Sequence, residues 1–109
     1  MDRIEIVKSS YRGYETDDRS LIEPHLAEDF MFFAPPDPGI DLATYWERCW
    51  PNAGRTEKFE YVRLFEHEDA VHVTYEATRK DGTRFRNTEI HSFRGDEVVS
   101  VEVYFGWDL

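Results

Sequence analysis

Residues 91–106 read HSFRGDEVVSVEVYFG, and this stretch decides the fold. A tight turn at Gly95-Asp96 separates two segments, and the second one alternates between apolar and polar side chains from Val99 to Val103. Alternation with a period of two is typical of a β-strand that buries one face. The stretch therefore predicts an antiparallel hairpin whose last strand packs one apolar face against the core: Val99, Val101, Val103, Phe105 and Trp107.

The residues before this hairpin extend it into a meander. Strand-like alternation covers residues 57–66, 71–78 and 83–94, with a turn at His67–Asp69. Asp81-Gly82 is a strong hairpin signal, because both residues tolerate the backbone conformation of a two-residue turn. The second half of the chain is therefore expected to form long antiparallel strands joined by short turns.

The first half of the chain has helical periodicity instead. A helix of about 12 residues is predicted from apolar side chains spaced three and four apart, namely Ile4, Val7, Tyr11 and Tyr14. Ser20 and Glu23 match a capping box, so a short second helix to about Ala27 is expected, with Pro24 disturbing it.

A short strand and a third helix complete the first half. The strand is expected over residues 29–35, stopped by the breaker-rich sequence PPDPG. Asp41 is then expected to cap a third helix with the apolar face Leu42, Tyr45, Trp46 and Cys49. Three helices in front of one meander predict an α+β fold in which the helices cover one face of the sheet. A chain of 109 residues is expected to form a single domain over 1–109.

Glu89 and His91 raise the main functional question. On a strand they share a face with Phe93, whereas Arg84 and Arg86 lie on the opposite face. Burying the face with Phe93 is favoured, because the inverse would bury two arginines. A carboxyl and an imidazole then lie beneath the helices, where desolvation raises the pKa of an acid and lowers that of an imidazole. Such a pair indicates either a functional site or a satisfied hydrogen bond that holds the core in register.

Composition excludes several classes of partner. The formal net charge is −10, so nucleic acid and anionic membranes, which need a basic surface, are not expected partners. Aromatic residues make up 16% of the chain, more than a small core requires, which predicts an aromatic pocket or interface. Cys49 is the only cysteine and excludes an internal disulfide. No apolar run suggests a membrane span or secretion signal, so a cytoplasmic location is expected.

The chain resembles the bacterial SnoaL-like and ketosteroid-isomerase-like members of the nuclear transport factor 2-like superfamily. The matching pieces are DDRSLIEPHLAEDFMFFAP, IDLATYWERCW and HSFRGDEVVSVEVYFG. The resemblance implies a strongly curved, antiparallel, cone-shaped sheet wrapped around the three N-terminal helices. It also implies an apolar ligand pocket at the open end of the cone and a homodimer through the outer sheet face.

Residue by residue, the resemblance to the steroid isomerases is partial. Their neutral acid, which donates to an oxyanion, falls on Glu89. Their partner tyrosine falls near Ser10, beside Tyr11 and one turn before Tyr14. Their general base falls on Ala34, just before Pro35, and alanine cannot carry a proton. This departure argues against steroid isomerase chemistry by that route.

The resulting hypothesis is a small-molecule pocket protein with acid–base chemistry on an apolar carbonyl compound, as an isomerase, cyclase or hydrolase. Glu89 is expected to act as an acid of raised pKa or a hydrogen-bond donor, His91 as proton acceptor or orienter, and Tyr11 or Tyr14 as a further donor. The ligand-binding residues are expected to be Tyr11, Phe32, Tyr45, Trp50, Tyr75 and Phe105. A non-catalytic ligand-binding or dimeric accessory protein is the alternative. No metal ion or cofactor is expected.

Overall fold

The computed structural model describes all 109 residues, which form two α-helices, three short 3-10 turns and one six-stranded sheet. The helices are α1 (Arg3–Thr16) and α2 (Leu42–Arg48). The strands are β1 (Leu26–Ala34), β2 (Asp37–Asp41), β3 (Thr56–His67), β4 (Ala70–Arg79), β5 (Arg84–Arg94) and β6 (Glu97–Asp108). Neither helix has the length and apolar character needed to cross a membrane.

The strands follow the order β2-β1-β6-β5-β4-β3. The meander β3–β6 is antiparallel throughout, as predicted. The prediction of a wholly antiparallel sheet was wrong, because β1 runs parallel to β6. The sheet is therefore mixed. Its parallel contact joins the first half of the chain to the last strand.

Strand β2 was missed in the sequence, where PPDPG suggested only a chain break. Asp37–Asp41 returns along β1, with Ala34 opposite Asp37 and Met31 opposite Asp41. Pro38 is tolerated there because β2 is an edge strand, so no neighbouring strand requires its missing N–H.

Helix α1 confirms the predicted amphipathic helix. Asp2 caps its start by accepting a hydrogen bond from the Glu5 N–H at 2.8 Å. Asp17 ends it in the left-handed conformation. Val7 and Tyr11 are buried on the face that meets the sheet, and Tyr14 packs against the same core.

The prediction of a second helix was wrong in the type of helix and in its capping residue. Two 3-10 turns, Arg19–Leu21 and Glu23–His25, replace it, and β1 begins directly at Leu26. Asp18, not Ser20, caps the first turn by accepting from the Ser20 N–H. Helix α2 begins as predicted, with the Asp41 carboxylate accepting from the Thr44 N–H at 2.9 Å.

Two irregularities in β6 correct its predicted apolar face. Ser92 pairs with Ser100 but Phe93 pairs with Val98, so Val98 takes the buried position predicted for Val99. Trp107 is 61% exposed and lies against the Arg86 guanidinium on the outer face, not in the core. Gly106 is required at this second bulge, because any β-carbon there would collide with the Arg86 carbonyl oxygen.

The inner face of β5 is the one predicted. Asn87, His91 and Phe93 are buried, and Glu89 is 15% exposed at its side chain. On the outer face Arg84 and Arg86 form ion pairs with Glu76, 3.5 Å and 2.5 Å from its carboxylate oxygens. Glu89 and His91 therefore lie under α1. This was expected, because residues two and four apart from Phe93 on a strand share its face.

Candidate functional site

A cavity of about 860 Å³ lies between the helices and the inner face of the sheet. Fifteen of its 28 lining residues are hydrophobic, and Phe30, Phe59 and Phe85 contribute aromatic surface. Most of the others are polar or charged, including Glu89 and His91. A concave site that combines apolar walls with convergent polar groups is the usual form of a small-molecule site.

Glu89 is the centre of a polar network in this cavity. Its Oε1 accepts a hydrogen bond from the Tyr11 hydroxyl at 2.9 Å, and its Oε2 accepts one from the Tyr75 hydroxyl at 2.8 Å. His91 Nε2 lies 3.1 Å from the Tyr11 hydroxyl and 3.3 Å from Glu89 Oε1. We call Tyr11, Tyr75, Glu89 and His91 the Glu89 network.

Three elements bring this network together. Glu89 and His91 are two residues apart on β5, so both project to the inner face. Tyr75 lies on β4 opposite Asn87, one diagonal step from Glu89. Tyr11 reaches down from the buried face of α1. The register of β4 with β5 therefore fixes the site.

The hydrogen-bond pattern defines which atoms carry protons. Tyr11 has one hydroxyl proton, and it points to Glu89. For His91 to bond the same hydroxyl, its Nε2 must donate a proton to the Tyr11 oxygen. The same nitrogen lies 3.3 Å from Glu89 Oε1, so this one proton of His91 faces both the Tyr11 oxygen and the Glu89 carboxylate.

The structure corrects the predicted pKa of Glu89. Burial is the largest single influence and raises the pKa. The hydrogen bond and positive charge of His91, with the hydrogen bonds from Tyr75 and Tyr11, lower it by more. The net direction is a lowered pKa, so Glu89 is a carboxylate acceptor and not the neutral donor expected from the sequence.

The phenols around Glu89 stay protonated. Burial, followed by the negative charge of Glu89, raises the pKa of Tyr11 and of Tyr75 well above the ordinary value. Burial also raises the pKa of Tyr14 and Tyr45, whose hydroxyl oxygens lie 2.6 Å apart. These two tyrosines share one hydrogen bond, which leaves the second hydroxyl proton free for a ligand in the cavity.

No protein-family model matches the sequence, and no curated protein is similar to it. Solved structures are similar to it in fold. A nuclear transport factor 2-like protein from Anabaena variabilis superposes with a TM-score of 0.80 at 19% identity, covering 95% of this chain and 86% of its own.

Two further structures superpose comparably. A proposed ketosteroid isomerase from Kribbella flavida has a TM-score of 0.78 at 14% identity, covering 95% of this chain and 77% of its own. A proposed polyketide cyclase from Sinorhizobium meliloti has a TM-score of 0.74 at 14% identity, covering 91% and 93%. The chain has the nuclear transport factor 2-like fold.

Within this nuclear transport factor 2-like fold, most of the predicted site residues line one cavity. These are the predicted catalytic residues Glu89, His91 and Tyr14 and the predicted ligand-binding residues Tyr11, Phe32, Tyr45, Tyr75 and Phe105. Trp50 is the exception, because it begins a 3-10 turn after α2 and packs its ring against Tyr14 and Trp46 outside the cavity wall. Ala34 lies in the wall and offers no proton carrier.

Asn87 and Asp37 are two of the cavity residues that were missed in the sequence. Asn87 donates to the Tyr75 hydroxyl at 3.4 Å and accepts from the Gly106 N–H at 3.2 Å. Asn87 is two residues before Glu89 on β5, so the alternation that assigned Glu89 to the inner face also assigns Asn87 to it. Asp37 is a buried residue of β2 that lines the cavity. Its Oδ1 lies 2.7 Å from the Arg48 guanidinium, but the angle of this ion pair does not fit a hydrogen bond. Only recognition of β2 as a strand could have indicated this second carboxylate.

Proposed function

We propose that this protein is an enzyme that moves a proton next to the carbonyl group of a small apolar compound. The observation that carries the proposal is an ionised, largely buried carboxylate facing an aromatic cavity among protonated phenols. A fixed base together with donors for a developing oxyanion is the combination that enolisation requires.

Glu89 is the proposed proton acceptor. Its Oε1 lies within reach of both Tyr11 and His91, whereas its Oε2 accepts from Tyr75 alone. A carboxylate oxygen has two lone pairs, so Oε2 retains one for a substrate proton. Tyr11, Tyr75 and His91 hold the carboxylate in place, and His91 thereby acts as a positioning residue.

The Tyr14–Tyr45 pair is the proposed oxyanion donor. One hydroxyl donates to the other across 2.6 Å, and the accepting hydroxyl keeps its own proton. Donation within the pair polarises that remaining O–H bond, which strengthens its bond to a substrate oxygen. The raised pKa of both phenols keeps the proton available at neutral pH.

Exchange of carbon-bound hydrogen tests the proposal without knowledge of the natural substrate. The probe is 2-tetralone, an apolar bicyclic ketone with acidic α-hydrogens, incubated in D₂O and followed by proton NMR. Wild type should accelerate α-deuteration over buffer. Glu89→Gln should lower the enzymatic rate by roughly 10²- to 10⁴-fold, the usual contribution of a general base.

Glu102→Gln is the matched control, because Glu102 accepts from a tyrosine on the outer face. It should exchange 2-tetralone at the wild-type rate. Equal rates for wild type and Glu89→Gln, with the fold intact, would rule out Glu89 as the base.

The second candidate is a ligand-binding protein without catalysis. It is favoured by Ala34 in the cavity wall where the resemblance implies the base, and by the three donors already directed at Glu89. This function predicts that apolar ketones raise the melting temperature while α-deuteration stays at the buffer rate.

We also propose that two chains associate through the outer face of the sheet. Large apolar side chains stand exposed there, including Tyr104 and Trp107, and the Phe65 ring stacks on His72. Sedimentation equilibrium should give twice the chain mass for wild type. Thr88→Arg, which places a charge on the middle of this face, should give the mass of one chain; a wild-type monomer would overturn the proposal.

A further inference from the structure

Three basic side chains gather where the cavity meets solvent. Arg55, Arg79 and Lys80 are exposed and also line the cavity, so they define its mouth. The Lys80 N–H donates to the Arg55 carbonyl oxygen at 2.9 Å, which fastens the start of β3 to the end of β4. The Arg79 guanidinium lies 4.2 Å from the centre of the Phe85 ring, a cavity wall residue.

These cations are unusual because they lack carboxylate partners in an acidic chain. Acidic residues outnumber Lys and Arg by 23 to 13. Seven of the 13 basic side chains form ion pairs: Arg3, Arg19, Arg48, Lys58, Arg84, Arg86 and Arg94. Half of the remaining six lie at the mouth of one cavity.

One carboxylate shares the mouth. Asp81 lines the cavity, and its Oδ1 accepts from the Thr83 N–H at 2.9 Å and the Thr83 hydroxyl at 2.6 Å. These hydrogen bonds, and to a lesser degree the positive charge of Arg79, lower the pKa of Asp81. Three cations against this single anion leave a net positive charge at the mouth. The inner end of the same cavity holds the ionised Glu89.

We propose that the substrate carries an anionic group at the end remote from its carbonyl, and that Arg55, Arg79 and Lys80 bind this group. The inference rests on the proposed function, because it assigns a charge to the substrate of the same site. The anion belongs to a carboxylate, sulfate or phosphate, all of which Arg and Lys bind. The opposite charges at the two ends of the cavity fix the orientation of the substrate, since an anion is repelled by Glu89 and attracted to the mouth.

Strand β4 runs between the two charged ends of the cavity. Tyr75, whose hydroxyl bonds Glu89, precedes Arg79 by four residues on β4. Four residues of extended strand separate the two Cα atoms by roughly 13 Å. The substrate class is therefore an elongated apolar carbonyl compound whose anionic group is remote from its reacting carbon.

A matched pair of fluorescent probes tests the charge of the ligand. The sulfonate probe is 8-anilinonaphthalene-1-sulfonate, and N-phenyl-1-naphthylamine is the same molecule without the sulfonate. Their dissociation constants are measured by fluorescence titration. The mouth variant is the triple substitution Arg55→Gln, Arg79→Gln and Lys80→Gln, with Lys80→Gln alone as a milder variant.

The mouth variant should weaken sulfonate binding by about 3- to 150-fold, the sum expected for three partly solvated ion pairs. It should leave the neutral probe within about twofold, because these substitutions remove charge and little apolar surface. Added salt should weaken sulfonate binding by wild type and have little effect on the mouth variant. Lys80→Gln alone should give a smaller loss in the same direction.

The control variant removes three positive charges from another part of the surface. Lys8→Gln, Arg12→Gln and Arg63→Gln change side chains that are exposed, have no ion pair and lie outside the cavity wall. Sulfonate binding should stay within about twofold of wild type. An equal loss in the two triple variants would show an effect of net charge alone and overturn the proposal.

The outcomes separate this inference from the proposed function. Unchanged sulfonate binding in the mouth variant overturns the anionic substrate, while Glu89-dependent deuteration of 2-tetralone would still support the base. Failure of wild type to bind either probe would overturn both the anionic substrate and an apolar ligand in this cavity.

Discussion

Two tyrosine–glutamate hydrogen bonds, one on each face of the sheet, share the same chemistry in different surroundings. On the inner face the Tyr11 hydroxyl donates to Glu89 at 2.9 Å. On the outer face the Tyr104 hydroxyl donates to Glu102 at 2.7 Å. Tyr11 is buried, whereas Tyr104 is 53% exposed. The outer bond is the shorter, so distance alone does not distinguish them.

The causes of the pKa shifts distinguish the two pairs. Burial comes first in raising the pKa of Tyr11, and the charge of Glu89 follows. The hydrogen bond to Glu102 comes first for Tyr104, and burial is the least influence. Water can replace the outer bond, whereas burial of Tyr11 limits the access of water to the inner one. The inner pair is thus fixed in geometry and protonation, as a site requires, and the outer pair is a solvated surface contact.

The largest expected difference between the two faces concerns alkaline pH. Tyr11, Tyr14, Tyr45 and Tyr75 have folded-state pKa values raised above the unfolded value of about 10. Their contribution to stability is therefore complete below about pH 10 and is lost as the pH rises above it. We expect the protein to unfold in this range, with these four phenols ionising together as the fold is lost.

Parallel measurements of tyrosinate absorbance and far-ultraviolet circular dichroism check this expectation. Tyr104, which is 53% exposed, should ionise before the inner phenols, whereas Tyr61, whose pKa is raised to about 12 by partial burial, should ionise no earlier than the unfolding range. Ionisation of more than these two side chains before the dichroism changes would show that the inner phenols are not shielded.

A conservative substitution gives the next largest effect. Tyr11→Phe removes one hydroxyl, which takes a donor from Glu89 and a partner from His91. Leaving buried polar groups unsatisfied should lower the free energy of unfolding by about 1–3 kcal/mol. Tyr104→Phe removes the corresponding hydroxyl from the outer face and should have no measurable effect in urea titrations. Equal losses in the two variants would mean that burial adds nothing to the inner bond.

The parts of the molecule that the sequence predicted correctly are those with local signals. The meander was predictable because its signals are local: Asp81-Gly82 and Gly95-Asp96 set the turns, and alternation assigned Glu89 and His91 to the inner face. The location of most pocket residues followed from assigning the face of β5 with Glu89 and His91 to the interior. These signals act within a few residues, so they survive without knowledge of the tertiary fold.

Several failures of prediction concern contacts between elements of the chain, which the pattern within one element does not show. β2 is stable only because β1 offers it a partner, and PPDPG in isolation indicates a break. Asp37 was missed along with that strand. The pKa of Glu89 was predicted in the wrong direction because burial is visible in a strand pattern, whereas the three donors come from α1, β4 and β5 together.

The smallest expected effect is a change in stability at acidic pH, and it decides whether the pKa of Glu89 is lowered or raised in the folded protein. A lowered folded-state pKa means that the Glu89 charge stabilises the fold above the unfolded value of about 4.3, and that this contribution is lost as the pH falls below it. Glu89→Gln should therefore be less stable than wild type at pH 7, and the two should converge in urea titrations as the pH is lowered towards 3. Glu102→Gln should differ little from wild type across that range. If Glu89→Gln instead matches wild type at neutral pH and stays matched on acidification, Glu89 is already protonated there. The carboxyl would then be the neutral donor expected from the sequence, and the proton acceptor would have to be sought elsewhere in the cavity.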